Sequence, residues 1–187
     1  MELKTTYFEK PGQDNSEETL QIAKQRADEL GIKKVVIAST YGNTAARAVE
    51  VFQGMKVIVV SHSFGFMKPG ILTFTDENRK TVESKGGTVL TATHIFAGLS
   101  RAMSTQFNTA VIGDIVANTL RVLGQGMKVV CEIAMMAADA GLVPTNEDVI
   151  VIGGTGKGAD TAVVLTPVNS QNFFALKVKE ILCKPHF

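Results

Sequence analysis

The run Val35-Val36-Ile37, inside residues 34–39, narrows the possible folds more than any other feature of the chain. Consecutive β-branched side chains suit a pleated strand better than a helix, where they lose rotamer freedom. The run does not alternate with polar residues, so both faces of the strand have to be covered, which is the mark of a parallel sheet between helices. The flanking segments supply such helices. Before the run, Leu20, Ala23, Ala27 and Leu30 recur at three- and four-residue spacing, and Gly31 follows as a stop. Asn15-Ser16-Glu17-Glu18 reads as a capping box, with Asn15 as N-cap and Glu18 at the third helical position. After the run, the alanines and valines of residues 43–52 predict a second helix.

The alternation continues. Residues 57–60, 89–92, 148–152 and 162–166 read as further strands. Residues 61–75 form a loop carrying Gly65, Pro69 and Gly70, and residues 76–85 a polar helix stopped by Gly86-Gly87. Residues 96–142 are helical in pattern, with breaks expected at Phe107-Asn108 and Gly124-Gln125-Gly126. The apolar run 129–138 is expected to be a core helix rather than a partner-binding face, and residues 173–182 fit either strand or helix. The expectation is one α/β domain over residues 1–187, a three-layer αβα arrangement with a mainly parallel sheet and helices on both faces. The last two strands, joined by a glycine-rich loop, are expected to depart from strict alternation.

Charge and motif content remove several function classes. Lys and Arg total 19 against 18 Asp and Glu, with no run of like charge, so a nucleic-acid binder is not expected. No stretch approaches the length and apolarity of a membrane span, and the charged first ten residues do not read as a signal peptide. Cys131 and Cys183 form no CxxC motif and read as reduced thiols, which points to the cytoplasm. There is no HExxH or clustered Cys/His set for a metal and no GxSxG elbow; Cys131 lies in a helical run without a nearby His, so no nucleophile is expected.

In open α/β sheets, ligands bind beyond the carboxyl ends of the strands, and three segments fall there. Ser39-Thr40-Tyr41-Gly42-Asn43-Thr44 joins a strand to a helix. The hydroxyls of Thr40 and Thr44, a glycine permitting close approach, and the free N–H groups of the helix start suit a phosphate; the plainer reading is a helix cap. Residues 153–161 place Gly153, Gly154, Gly156 and Gly158 within six positions, able to form a nest of N–H groups with Thr155, Asp160 and Thr161, or simply a hairpin loop. This is no Walker A loop, because position 151 is Val and Gly158 follows Lys157; nor is it a dinucleotide fingerprint, because Val163-Val164-Leu165 reads as strand. The third group is Ser61-His62-Ser63-Phe64-Gly65-Phe66 with Thr93-His94. Its histidines would hydrogen-bond a ring or shuttle a proton, and its phenylalanines would flank a planar ring.

The segment 35–45 resembles the strand, threonine-and-glycine loop and helix of the pyruvate kinase C-terminal α/β domain, and residues 148–160 resemble that domain's late strand and glycine-rich loop. The opening Tyr7-Phe8-Glu9-Lys10-Pro11-Gly12 is similar to that of small free-standing proteins with this domain. The resemblance implies flavin mononucleotide (FMN) as ligand. The loop 39–44 is also similar to a flavodoxin phosphate loop. On these grounds the expected cofactor-binding residues are Ser39, Thr40, Gly42, Asn43, Thr44, His62, Phe64, Gly65, His94, Gly154, Thr155, Gly156, Asp160 and Thr161. In pyruvate kinase the same two loops hold an allosteric sugar bisphosphate, so a non-catalytic sugar-phosphate sensor is the alternative. The (β/α)₈ barrel that carries pyruvate kinase chemistry has no counterpart in these segments, so phosphoryl transfer is not expected. Such domains pack against one another, which implies a homo-oligomer.

Overall fold

A computed structural model describes residues 2–186. A short strand β1 (Thr6–Phe8) and a 3₁₀ turn (Gln13–Asn15) precede α1 (Ser16–Leu30), β2 (Lys34–Ala38), α2 (Asn43–Val51) and β3 (Lys56–Ser61). Then come α3 (Asp76–Ser84), β4 (Thr88–Thr91), α4 (Leu99–Phe107), α5 (Ile112–Arg121) and α6 (Gln125–Asp139). The chain closes with β5 (Val149–Gly153), β6 (Thr161–Thr166), a 3₁₀ segment (Ser170–Ala175) and β7 (Lys177–Pro185).

The strands form one seven-stranded sheet in the order β1-β7-β6-β5-β2-β3-β4. β2 pairs in parallel with both β3 and β5, β3 with β4, and β1 with β7. Only β6 runs against its neighbours, pairing antiparallel with β5 and β7. The α/β class with a mainly parallel sheet therefore holds, and the departure from alternation falls at the glycine-rich loop between β5 and β6.

Successive residues of the central strands are buried on alternate faces of the sheet. Val35 and Ile37 of β2 face one core with Leu20, Ala23 and Ala27 of α1, Ala45 and Ala48 of α2, and Phe52 just after it. Val36 faces the other, with Ile58, Val60, Val151 and the α6 residues Val130, Ile133, Ala134 and Ala137. Each fully buried aliphatic side chain contributes about 1.5–3 kcal/mol relative to exposure. The unbroken apolar run of β2 is thus explained by helices on both faces. α6 is buried almost all round, so the run 129–138 is interior. The helix breaks lie where expected: Asn108 ends α4 in the left-handed region (φ 47°), and Gly124 precedes α6. Residues 173–182 divide between a 3₁₀ segment and β7, whose pairing with β6 shifts register twice.

One local reading is corrected. Asn15 does not cap α1 with its side chain. Its backbone is already helical (φ −86°, ψ −4°), and its amide donates to the carbonyls of Lys10 and Gly12 at 2.7 and 3.3 Å. The preceding 3₁₀ turn runs straight into α1, so Asn15 sits inside the coil rather than at its mouth. No helix among the described residues is long and apolar enough to cross a membrane, and both cysteines are free and buried.

Candidate functional site

The carboxyl ends of β2, β3 and β5 and the segment after β4 surround one cavity of about 590 Å³. Its two ends differ in chemistry.

At the first end, the chain leaves β2 at Ser39, whose hydroxyl accepts the Gly42 N–H at 3.2 Å. Gly42 has φ 101°, and a Cβ there would lie 2.4 Å from Asn78 Cβ, so only glycine fits this turn. α3 braces the loop from outside. Asn78 Nδ2 donates to the Tyr41 carbonyl (3.0 Å) and to Asn43 Oδ1 (2.8 Å), and Thr73 Oγ1 donates to the Thr40 carbonyl (2.9 Å). α2 then begins with no side-chain cap. The N–H groups of its first turn have no intrahelical partner and carry the positive end of the helix dipole toward the cavity wall formed by Ser39, Thr40, Asn43 and Thr44.

The glycine-rich loop lies opposite. Gly154, Gly156, Lys157 and Gly158 line the cavity. A Cβ on Gly154 would meet the Gly158 carbonyl oxygen at 2.4 Å, because the loop folds back on itself. The fully buried Asp160 organises that fold. Its Oδ2 accepts the N–H groups of Gly12 (3.0 Å) and Thr155 (3.2 Å), and its Oδ1 accepts the Thr161 hydroxyl (2.8 Å). The start of α1 docks on the same loop through the Ala159 N–H, which donates to Ser16 Oγ at 3.0 Å. Lys157 Nζ lies 5.5 Å from the centroid of the Tyr41 ring, across the cavity from β2. Arg47 lines this end too, held by two bonds to Glu17 at 2.8 and 2.7 Å. The Glu17 carboxyl, bonded first to Arg47 and then to Gln21, is held down to about 2.

The second end is aromatic. The His62 and Phe66 ring centroids are 4.0 Å apart, His62 and His94 are 4.9 Å apart, and Phe66 and His94 are 5.5 Å apart. All three line the cavity, with Ala38, Val60, Val129 and Ile133 as apolar wall. His62 Nδ1 is buried without a hydrogen-bond partner. Burial, aided by the neighbouring His94, pushes His62 down to about 4. Burial also lowers His94, against an opposing pull from Glu132, whose Oε2 lies 3.4 Å from His94 Nδ1. Both imidazoles are therefore neutral near pH 7.

Of the expected residues, Ser39, Thr40, Asn43, Thr44, His62, His94, Gly154 and Gly156 line this cavity. Gly42, Thr155, Asp160 and Thr161 do not line it; they shape the two loops that do. Phe64 is 65% exposed and Gly65 turns the chain, donating its N–H to the Ile71 carbonyl at 3.1 Å, so neither lines the cavity. The Ser63–Phe66 turn brings Phe66 over His62 instead. The Arg101 guanidinium carbon lies 5.2 Å from the Phe66 ring centroid. Lys157, Tyr41 and Arg47 join the cavity without having been singled out as ligand contacts. Behind His94, outside the cavity lining, lies a buried pair that was likewise not singled out, Lys128 and Glu132. Two opposite charges four residues apart inside the apolar stretch of α6 are the signal that would have exposed them.

The family model described as "Pyruvate kinase, alpha/beta domain" matches residues 17–165. The chain belongs to that family. The match runs from the first turn of α1 to the end of β6 and includes both loops of the phosphate-capable end. Among solved structures, this pyruvate kinase α/β domain is similar to a Cryptosporidium parvum pyruvate kinase in complex with ADP. The identity is 12% and the TM-score 0.37, over 90% of this chain and 23% of that one. The domain thus spans about a quarter of that pyruvate kinase's length.

Proposed function

We propose that this domain binds a phosphorylated planar small molecule, FMN, with the phosphate on the first turn of α2 and the ring at the His62–Phe66–His94 end. The observation that carries the reading is the polarity of a single cavity. One end offers uncapped helix N–H groups, the hydroxyls of Ser39, Thr40 and Thr44, and Lys157; the other offers three flat rings and aliphatic walls. A volume of about 590 Å³ lies within the ~300–1,000 Å³ of small-molecule sites. A phosphate gains from the helix dipole and from N–H donors that are otherwise unpartnered. A planar ring gains from stacking and from displacing water off apolar surface.

Bound there, the flavin would supply redox chemistry, and an oxidoreductase is the enzyme class that would follow. The chain's own contribution is to fix the phosphate, orient the ring against His62 and His94, and keep water from its inner face. Free thiols at Cys131 and Cys183 accord with a cytoplasmic setting. Self-association belongs to the same reading, supported by exposed Leu99, Phe107, Ile112 and Ile115 on α4 and α5. A concentration-independent monomer in light scattering would remove it.

The test is the absorbance spectrum of freshly purified protein, followed by FMN titration with fluorescence detection. Flavin bands or saturable quenching support the reading; a blank spectrum and unquenched FMN sink it. A second reading, a non-catalytic sensor of sugar phosphates, is favoured by one observation: both phosphate-capable loops face the same cavity, with Lys157 and Arg47 beside them. A thermal shift with fructose bisphosphate but none with FMN would establish it.

A further inference from the structure

Lys128 and Glu132 are 7% and 1% exposed, a charged pair placed within the apolar packing of α6. Burying such a pair costs desolvation that its mutual attraction only partly offsets, so stability alone gives little reason to keep it. Its surroundings suggest another. Glu132 Oε1 accepts the Phe96 N–H at 3.0 Å, while Oε2 bonds Lys128 Nζ and lies 3.4 Å from His94 Nδ1. His94 in turn meets His62 edge to face, and both rings open on the cavity.

We propose that His62 and His94 form an acid–base centre at the aromatic end of the cavity, with Glu132 and Lys128 as positioning residues of opposing charge that poise it. The proposal rests on the reading of the cavity as a ligand site and adds the chemistry of its inner end. A neutral His62 accepts a proton from a ligand N–H, or from a C–H beside a carbonyl. The imidazole becomes imidazolium, the bonding pair stays on the ligand as an anion, and the reverse step returns the proton. No oxidant or second substrate is consumed. Burial and Lys128 hold both histidines neutral, and Glu132 is the opposing charge that favours the imidazolium once a proton is taken from the ligand. The groups facing the pair are Phe66 from the same loop, the Ser61 carbonyl at the end of β3, and Glu132 and Lys128 from α6; Arg101 of α4 stands against Phe66. His62 carries the buried nitrogen that no protein group satisfies among the described residues.

The experiment is a nitrogen-15 NMR titration of the histidine side chains in ligand-free protein. It uses wild type, Glu132→Gln and Lys128→Met, with the three histidines assigned by single substitutions. The expected result is opposite displacement: Glu132→Gln lowers the His94 midpoint further, and Lys128→Met raises it, with His62 following in the same sense. A purely structural pair would leave both midpoints where they were, or move them alike through loosened packing, and either outcome overturns the proposal. Should Glu132→Gln fail to fold, Lys128→Met carries the comparison alone: a raised His94 midpoint supports the proposal and an unchanged or lowered one overturns it. The second arm is calorimetry with FMN in two buffers of different ionisation heat. A proton exchanged on binding in wild type and altered in Glu132→Gln supports the centre. FMN binding with no proton exchanged and unchanged by Glu132→Gln contradicts it. Absence of FMN binding with opposite histidine shifts intact removes the FMN reading and leaves the acid–base centre standing.

Discussion

At one end of the cavity the polar groups are backbone N–H groups from consecutive residues around Gly42 and Gly154. At the other they are side chains from segments more than thirty residues apart, His62 after β3 and His94 after β4, backed by Glu132 and Lys128 on α6. The first end takes its groups from two short loops, each shaped by its own glycines and then pinned from outside by Asn78 and by the Asp160–Gly12 bond. The second exists only because β3 and β4 lie side by side and α6 packs across their face. A local device tolerates change elsewhere in the fold; an assembled one depends on tertiary packing. The two ends should therefore respond differently to substitution.

The largest expected effect comes from removing the anchor of the first end. Asp160→Ala strands three donors, the N–H groups of Gly12 and Thr155 and the Thr161 hydroxyl. The Thr161 hydroxyl is buried and costs ~1–3 kcal/mol when unsatisfied, and the two part-buried N–H groups add to that, so the loss is about 3 kcal/mol. It should appear as a large drop in melting temperature with FMN binding abolished; a stable variant that still binds FMN would show the loop to be self-supporting. Next in size is Thr44→Val, which should weaken FMN by about 1–3 kcal/mol through loss of a hydroxyl donor to a buried anion. Riboflavin, lacking the phosphate, should not notice this change, and equal weakening of both would place the phosphate elsewhere. Phe66→Ala should do the reverse, costing FMN and riboflavin alike about 1 kcal/mol of ring contact. If only FMN suffers, the two ends are not chemically separate.

The last effect concerns pH. His62 is lowered from an ordinary 6.5 to about 4, first by burial and then by the proximity of His94. Between those values the unfolded chain binds a proton that the folded chain refuses, so stability falls as pH drops from 6.5 toward 4. Glu17 acts in the same direction lower down, its stabilising ionised form being lost as pH falls from 4.5 toward 2. His62→Gln should flatten the upper part of this decline in melting temperature against pH, and an unchanged slope would mean that His62 titrates normally.

The difference between the ends also explains what could be read from the chain without its fold. The loop 39–44 and the glycines of 153–158 are recognisable because both the signal and the geometry are local. The β2 run gave the layered sheet for the same reason, since its missing alternation is a direct record of burial on both faces. Phe66 was harder to separate from Phe64, because only the turn at Ser63–Phe66 decides which ring folds back over His62. Asp160 is expected at the ligand, whereas it anchors the loop from behind, because its partner Gly12 is 148 positions away. β1 escaped notice because three residues carry no period and their pairing with β7 is the longest-range contact in the sheet. Asn15 misled because a 3₁₀ turn ahead of a helix produces the composition of a cap without its geometry.

The most direct test of the two-ended cavity is a parallel titration of FMN and riboflavin, read by flavin fluorescence, against wild type and Thr44→Val. The cavity as described predicts saturable FMN binding that is tighter than riboflavin binding, with Thr44→Val erasing most of that difference. FMN that binds no better than riboflavin, or a difference that survives Thr44→Val, would contradict a phosphate seated on the first turn of α2.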